Sequence, residues 1–200
     1  MSLNDRLRVL HTERLSTRWN RVDSTQLEYR RSDGRWQAMR RETVDHGHAA
    51  AVLLVDPVRR SVVLLRQLRW AAVVGGCEEL MVEVPAGLLD GDSPEDCVRA
   101  ESLQEVGWRA REPRFVFDVF MSPGSLTERV ACFVAEVDPS DRVAAGGGLE
   151  HEGEDIEVLE LPFDEAMAMV ADGRIRDAKT ILLLQHAALH LPALRGEGPR

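Results

Sequence analysis

Apolar residues gather into short continuous runs in the middle of this chain and into helical stripes towards its end. Ala49–Asp56 and Ser61–Arg69 are nearly unbroken runs of Val, Leu and Ala, joined by a turn at Asp56-Pro57. Unbroken runs of this kind suit strands covered on both faces. Leu80–Val84 predicts a third strand, with Trp70–Gly76 as the loop before it. Arg114–Phe120 and Arg129–Val137 alternate well enough to be strands, and Ile156–Leu161 is a further strand ended by Pro162. Phe163–Asp172, with apolar residues at 163, 166, 167, 169 and 170, and Thr180–Leu191 predict amphipathic helices with core-facing Met and Leu stripes.

The flanking segments differ. Residues 7–48 are charged and mixed in pattern, with an Asp-Gly hairpin signal at Ser32-Asp33-Gly34-Arg35. Its arms, Gln26–Arg31 and Trp36–Thr43, are mostly polar, so the ribbon cannot build a core alone. It must lean on the main domain or on another chain. Pro192–Arg200 is rich in Pro and Gly and reads as a frayed tail. The pattern divides the chain into an N-terminal β extension (1–48), a main domain (49–191) and a flexible tail (192–200). Strands with two kinds of helices and no βαβ repetition predict an α/β/α sandwich with a mixed sheet.

One stretch organises the rest, Glu83 to Trp108. Pro85 and Gly87 break the apolar run and Gly91 adds a second flexible point. Ser93 suits an N-cap, Pro94 the first helical position, and Glu95 and Asp96 the positive end of the dipole. Gly107 suits the stop, which predicts a helix over about 94–106. Glu101 and Glu105 then share one face, with Cβ atoms about 5–6 Å apart and Gln104 beside them. On an isolated helix such a pair would simply be solvated. A Pro-Ala-Gly loop just before the helix can turn a backbone carbonyl to the same face. Carboxylates plus a carbonyl make the hard oxygen cage that Mg²⁺ or Mn²⁺ prefers.

Composition narrows the partners. Two hundred residues at 44% hydrophobic can bury a sizeable core. The net charge of −9 argues against nucleic acid, and an anionic substrate would need local cations. Cys77, Cys97 and Cys132 are odd in number with no C-x-x-C pair, so they read as buried thiols in a reducing compartment. The N-terminus carries no apolar signal region, and the longest apolar run, Ala49–Val55, is too short for a bilayer. A cytoplasmic protein with no membrane partner is expected. Lys179 is the only lysine among 25 Lys and Arg side chains, which reads first as codon bias in a GC-rich genome and, as the alternative, as a place where a compact ammonium is preferred.

The segment from Gly87 to Trp108 resembles the Nudix box: a glycine, a glutamate after five residues, then R-E-apolar-x-E-E-x-G-apolar. Gly87, Glu101, Glu105, Gly107 and Trp108 match. The loop is one residue short, with Asp92 in place of the first glutamate. Ala100 stands for the arginine, Ser102 for an apolar residue and Gln104 for a glutamate. The resemblance runs from about residue 15 to 190 and is closest to the ADP-ribose and GDP-mannose pyrophosphatase branch. It includes R-Q-L-R at 66–69, P-A-G-L-L-D at 85–90, M-S-P-G-S-L-T-E-R at 121–129, the Gly-rich acidic stretch 144–163 and G-R-I-R-D-A-K-T at 173–180. The short loop and the Gly-Gly-Gly before the acidic run resemble the GDP-mannose type.

That resemblance implies a Nudix-type α/β/α fold and a metal-dependent hydrolysis of the pyrophosphate of a nucleotide sugar, giving a nucleoside monophosphate and a sugar phosphate. GDP-mannose is the favoured substrate, with an ADP-ribose or ADP-sugar pyrophosphatase as the alternative. A binding or regulatory protein that lost catalysis is the rival, on the strength of Ala100, Ser102 and Gln104. Mg²⁺ or Mn²⁺ would be held by Glu101, Glu105 and the Ala86 carbonyl, with Gln104 on the same face. Glu152 or Glu154, in an acidic loop that would otherwise read as surface, would add a ligand or a base. Glu105, Glu152 and Glu154 are thus the catalytic carboxylates, and His151 is a solvated neighbour. Arg69, Glu83, Ser122, Gly124, Glu128 and Lys179 would meet the substrate, while Arg66 reads equally well as a solvated strand end. The N-terminal extension would form a homodimer.

Overall fold

The structure is a computed structural model that describes residues 2–196. Two compact units emerge, residues 1–48 with 120–128, and residues 49–119 with 129–200.

The first unit is a three-stranded antiparallel sheet in the order β1 (Leu7–Thr17), β2 (Arg21–Arg30), β3 (Trp36–Asp45). The expected hairpin is β2–β3, turned at Gly34 with φ of +88°. Strand β1 is an addition to it. Its side chains are nearly all exposed, so no alternation betrays it in the sequence. The antiparallel backbone ladder to β2 holds it, and cross-strand charge lies alongside: Arg14 pairs with Asp23, Arg8 with Glu28, and the Arg8 guanidinium lies over the Trp36 ring. The segment 120–128 joins this unit through β3. The Val44 amide donates to the Ser125 carbonyl (2.8 Å), and the Thr127 amide donates to the Val44 carbonyl (3.0 Å).

The second unit is built on β4 (Ala49–Asp56), which is buried along its whole length as its unbroken apolar run requires. Around it run β5 (Ser61–Gln67), α1 (Trp70–Val74), β6 (Met81–Glu83), β7 (Ala86–Leu88) and α2 (Pro94–Val106). Strands β8 (Arg114–Phe120), β9 (Arg129–Glu136) and β10 (Glu157–Pro162) precede helices α3 (Phe163–Ala171) and α4 (Ala178–His190). The sheet order is β10-β5-β4-β9-β8, with β6 also on β5 and β7 also on β4. The β4–β9 pair is parallel, while β4–β5, β5–β10, β5–β6 and β4–β7 are antiparallel, so the sheet is mixed as expected.

Alternation sorts the core. Ala50, Val52 and Leu54 of β4 pack with Val63 and Leu65 of β5 against Val98, Val106 and Trp108 from α2 and its end. The intervening β4 residues point the other way. Helix α4 also packs on β4 and β9, and Leu183, Leu184 and Ala187 are its buried apolar residues. Each large apolar side chain so buried stabilises the fold by about 1.5–3 kcal/mol.

Three expectations are corrected. Trp70–Val74 is a short helix rather than a loop, closed at Gly75 and Gly76 by amides that donate to Ala71 and Val73. Ala86–Leu88 is a strand rather than a loop, because the small residues Ala86 and Gly87 can lie flat on Ala49–Ala51. The tail does not fray from Pro192: Pro192–Arg195 forms a 3-10 helix, anchored by the buried Leu194 and by the Arg60 Nε donating to its carbonyl (2.9 Å). The remainder of the expected tail, 197–200, lies outside the described residues.

Helix α2 keeps its predicted limits. Ser93 Oγ accepts from the Asp96 amide (3.2 Å), and Gly107, at φ of +75°, donates to the Leu103 carbonyl (3.1 Å). Ser102 sits fully buried where an apolar residue was expected, and its hydroxyl donates to the Trp108 carbonyl (3.0 Å). A Cβ on Gly107 would run into the Ala144 carbonyl as well as strain the backbone. Gly107→Ala should therefore destabilise the protein by about 2 kcal/mol or more. Chemical denaturation checks this, and an unchanged midpoint would contradict it.

Candidate active site

Glu105 is only 1% exposed, although it carries a carboxylate. Its Oε2 accepts the Ala86 amide (2.9 Å), which ties the helix to the start of β7. Burial is the main force on it and pushes its carboxyl up to about 8, with Glu101 and Glu154 adding repulsion against the Ala86 hydrogen bond. Glu101, half-buried one turn earlier, is pushed up to about 7, first by burial and then by Glu154, Glu152 and Asp90. Arg69 is the cation that opposes both shifts. Gly87 is required beside them: any Cβ there would collide with the Glu101 carboxylate.

The acidic loop is fastened to the end of α2 by its own backbone. The Gly147 amide donates to the Glu105 carbonyl (2.9 Å), the Gly148 amide to Gln104 (3.2 Å) and the Ala144 amide to Gly107 (3.1 Å). A Cβ on Gly146 would lie 2.6 Å from the Glu105 carbonyl oxygen, so only glycine allows this approach. Glu154 and Glu152 are thereby carried to Glu101, and they differ. Glu154 is half-buried, accepts from the Leu149 amide (2.9 Å) and repels Glu101 more strongly; Glu152 is exposed. His151 is exposed, as expected, and lies 3.8 Å from Glu152.

Arg69 caps α1, and its guanidinium grips Glu83 with both Nε (3.0 Å) and Nη2 (2.8 Å). Lys179 reaches Glu83 from α4 at 3.2 Å and Asp177 at 2.9 Å. Burial would discharge Glu83, yet Lys179 and Arg69 outweigh it and hold its carboxyl below the usual range. Arg66 pairs with Glu157 at the exposed end of β5. Gln104 is exposed, and its backbone carbonyl, not its side chain, meets the loop. Ser122, Gly124 and Glu128 belong to the first unit. There the Ser122 carbonyl accepts from Leu126 (2.9 Å), and Glu128 lies 3.2 Å from His46.

Sequence reasoning missed Asp90 and Asp177. Asp90 sits at a positive φ of 46° in the loop before α2, and only its charge at Glu101 reveals it. Asp177 stands at an N-cap position directly before α4, a signal that could have found it.

Hard oxygen donors fit a divalent cation here. Two carboxylates held so close that burial and mutual repulsion favour their protonation are a place where a cation gains most. Among the described residues no three His, Cys, Asp or Glu side chains converge as a ready cage. Carbonyl and water oxygens would complete the shell, as Mg²⁺ sites commonly require.

A mixed sheet covered by helices, with a glycine-flanked acidic helix and a glycine-tethered acidic loop, defines a Nudix-type hydrolase fold. The chain belongs to the Nudix family: the NUDIX domain matches residues 45–184, and the GDP-mannose pyrophosphatase NudK N-terminal domain matches residues 6–43. A GDP-mannose pyrophosphatase of Klebsiella pneumoniae is 44% identical over 187 residues, covering 93% of this chain and 92% of its own. One of Escherichia coli is 41% identical, covering 92% and 96%. A solved ADP compounds hydrolase shares the fold, with a TM-score of 0.71 at 21% identity over 96% of this chain and 97% of its own.

The raised carboxyls make a pH prediction. An unfolded glutamate releases its proton near 4.5, but Glu101 and Glu105 keep theirs up to about 7 and about 8. Their stabilising protonation is present below about 4.5 and is lost as pH rises through 7 and 8. In chelator, Tm should fall from pH 6 to 9 more steeply in the natural protein than in Glu105→Gln. Parallel curves would refute it.

Proposed function

We propose that this protein is a divalent-cation-dependent pyrophosphatase of nucleotide sugars, acting first on GDP-mannose and releasing a nucleoside monophosphate and a sugar phosphate. The observation that carries this is the buried Glu105 and half-buried Glu101 beside Ala86, with both carboxyls driven towards protonation. The names of the relatives, similar along nearly their whole length, support the substrate.

Mg²⁺ or Mn²⁺, when bound, neutralises the pyrophosphate and lowers the pKa of a bound water. Glu101, Glu105 and the Ala86 carbonyl would hold it. Arg69, with Lys179 and Glu83 behind it, orients the anionic diphosphate that a chain of charge −9 otherwise repels. A water oxygen bonds to one phosphorus, the bridging oxygen leaves with the other phosphate, and a loop carboxylate takes the water's proton. Glu154 is preferred for that role over Glu152, because it acts more strongly on Glu101. Ser122, Gly124 and Glu128 enter as substrate contacts through the resemblance of their loop. An ADP-sugar substrate is the second reading within the same chemistry.

We also place the protein in the cytoplasm as a homodimer formed through the N-terminal sheet. No helix among the described residues is long and apolar enough to cross a membrane. Strand β1 exposes Val9, Leu10 and Leu15, and Trp19 just beyond it is 88% exposed. Light scattering at micromolar concentration should give twice the chain mass, and a monomer with a folded N-terminal sheet would contradict this.

A panel of nucleotide sugars with Mg²⁺ or Mn²⁺, scored for monophosphate release, tests the activity, with GDP-mannose expected first. Glu105→Ala should lower kcat by several powers of ten, since charge stabilisation worth several kcal/mol goes with it. A fully active variant would sink the assignment. Gln104 enters the ligand set through the resemblance alone, its side chain being exposed: Gln104→Glu should lower the metal concentration for half-maximal rate about tenfold, about 1.4 kcal/mol, if that side chain meets the cation, and an unchanged requirement removes it from the set.

A further inference from the structure

Lys179 is buried with two carboxylates, and only one of them, Glu83, also serves Arg69. The other is Asp177, 13% exposed at the side chain. Its place is set by the α3–α4 connection, where the buried Ile175 donates its amide to the Met169 carbonyl (2.9 Å). Asp177 Oδ2 accepts from the Thr180 amide (2.9 Å) and hydroxyl (2.6 Å), while Oδ1 accepts from Lys179 Nζ (2.9 Å). Thr180 Oγ1 in turn accepts from the Val84 amide (2.9 Å), two residues before the amide that binds Glu105.

Capping a helix needs one acceptor oxygen, and Ser, Thr or Asn would serve. The second oxygen here does something else. Arg69, Lys179, Glu83 and Asp177 are two cations and two anions in a largely buried cluster. Without the Asp177 charge, one buried carboxylate would face two cations, and an uncompensated buried charge is costly. Lys179 would then lose its proton or withdraw from Glu83, and the Arg69–Glu83 fork would lose its backing.

We propose that Asp177 is a positioning residue for the pyrophosphate site, dividing its carboxylate between Lys179 and Thr180 so that one side chain sets the Arg69–Glu83–Lys179 array and anchors Val84 above the Glu105 contact. The proposal deepens the nucleotide-sugar reading and rests on it for its kinetic arm. Burial opposes the Lys179 charge, but Glu83 and Asp177 outweigh it and hold the ammonium above the ordinary lysine value.

Because Lys179 is the only lysine, ¹⁵N-lysine labelling gives one side-chain signal to titrate in the full chain. In Asp177→Asn and Asp177→Ser, which both keep a capping oxygen, that signal should titrate at lower pH than in the natural protein. With GDP-mannose, KM should rise about tenfold while kcat stays within about twofold, and Lys179→Met should reproduce the KM rise. If both Asp177 variants move only Tm, leaving the lysine titration and KM unchanged, Asp177 is a plain helix cap and the proposal falls. If the natural protein cleaves no nucleotide sugar, the functional reading fails on its own. The lysine titration then decides the positioning claim.

Discussion

A carboxylate taken out of water is the constraint around which the second unit is arranged. Glu105 loses its hydration under the sheet and recovers a single hydrogen bond, from the Ala86 amide. One amide does not offset burial beside a second carboxylate, so the site holds a standing demand for positive charge. The glycines answer to the same demand. Gly87 leaves room for Glu101, Gly107 ends the helix where Glu105 faces inward, and Gly146 lets the acidic loop lie on the helix end. At each, an added Cβ would collide with what now lies against it: the Glu101 carboxylate at Gly87, and backbone atoms at Gly107 and Gly146.

The departures from the Nudix box become intelligible against that arrangement. Ser102 replaces an apolar residue at a fully buried position without an orphan hydroxyl, because the carbonyl of Trp108 accepts its hydrogen bond. Ala100 is exposed, so the missing arginine leaves no buried charge unpaired. The cation felt by Glu101 and Glu105 comes instead from Arg69, directly before α1. Gln104 is exposed and joins the acidic loop through its backbone, a contact indifferent to whether its side chain carries a charge. None of the three substitutions disturbs the packing that brings the two glutamates together.

Local signals made most of the fold legible. Ser93, Pro94 and Gly107 fixed both ends of α2, since capping chemistry is decided within a few residues. The unbroken apolar run of Ala49–Asp56 announced the central strand. What stayed hidden was decided by distant partners. Strand β1 is held by its backbone ladder to β2 on an exposed sheet, and β7 is three residues that are a strand only because Ala49–Ala51 lie beside them. The two candidates Glu152 and Glu154 could not be separated by spacing. Their difference lies in whether the side chain turns back to the Leu149 amide.

Charge balance links the hidden part to the function. The chain carries −9, and its candidate site adds Glu101, Glu105, Glu152, Glu154 and Asp90 in one neighbourhood. A pyrophosphate would be repelled there unless cations were held nearby, and a free lysine or arginine would collapse onto those carboxylates. Pairing Arg69 and Lys179 with Glu83 and Asp177 counters that collapse: the four charges sum to zero, and the pull of Arg69 on Glu101 and Glu105 is smaller than the burial that raises them. The guanidinium of Arg69 remains partly exposed while Lys179 is buried behind it. The lone lysine fits this inner position because a compact ammonium can touch two carboxylates from within a helix turn, whereas a guanidinium fork would demand a planar gap. The four side chains thus form a charge-neutral cluster held by its own hydrogen bonds, and if it meets a diphosphate, as proposed, its effect rests on where it places Arg69 more than on net charge.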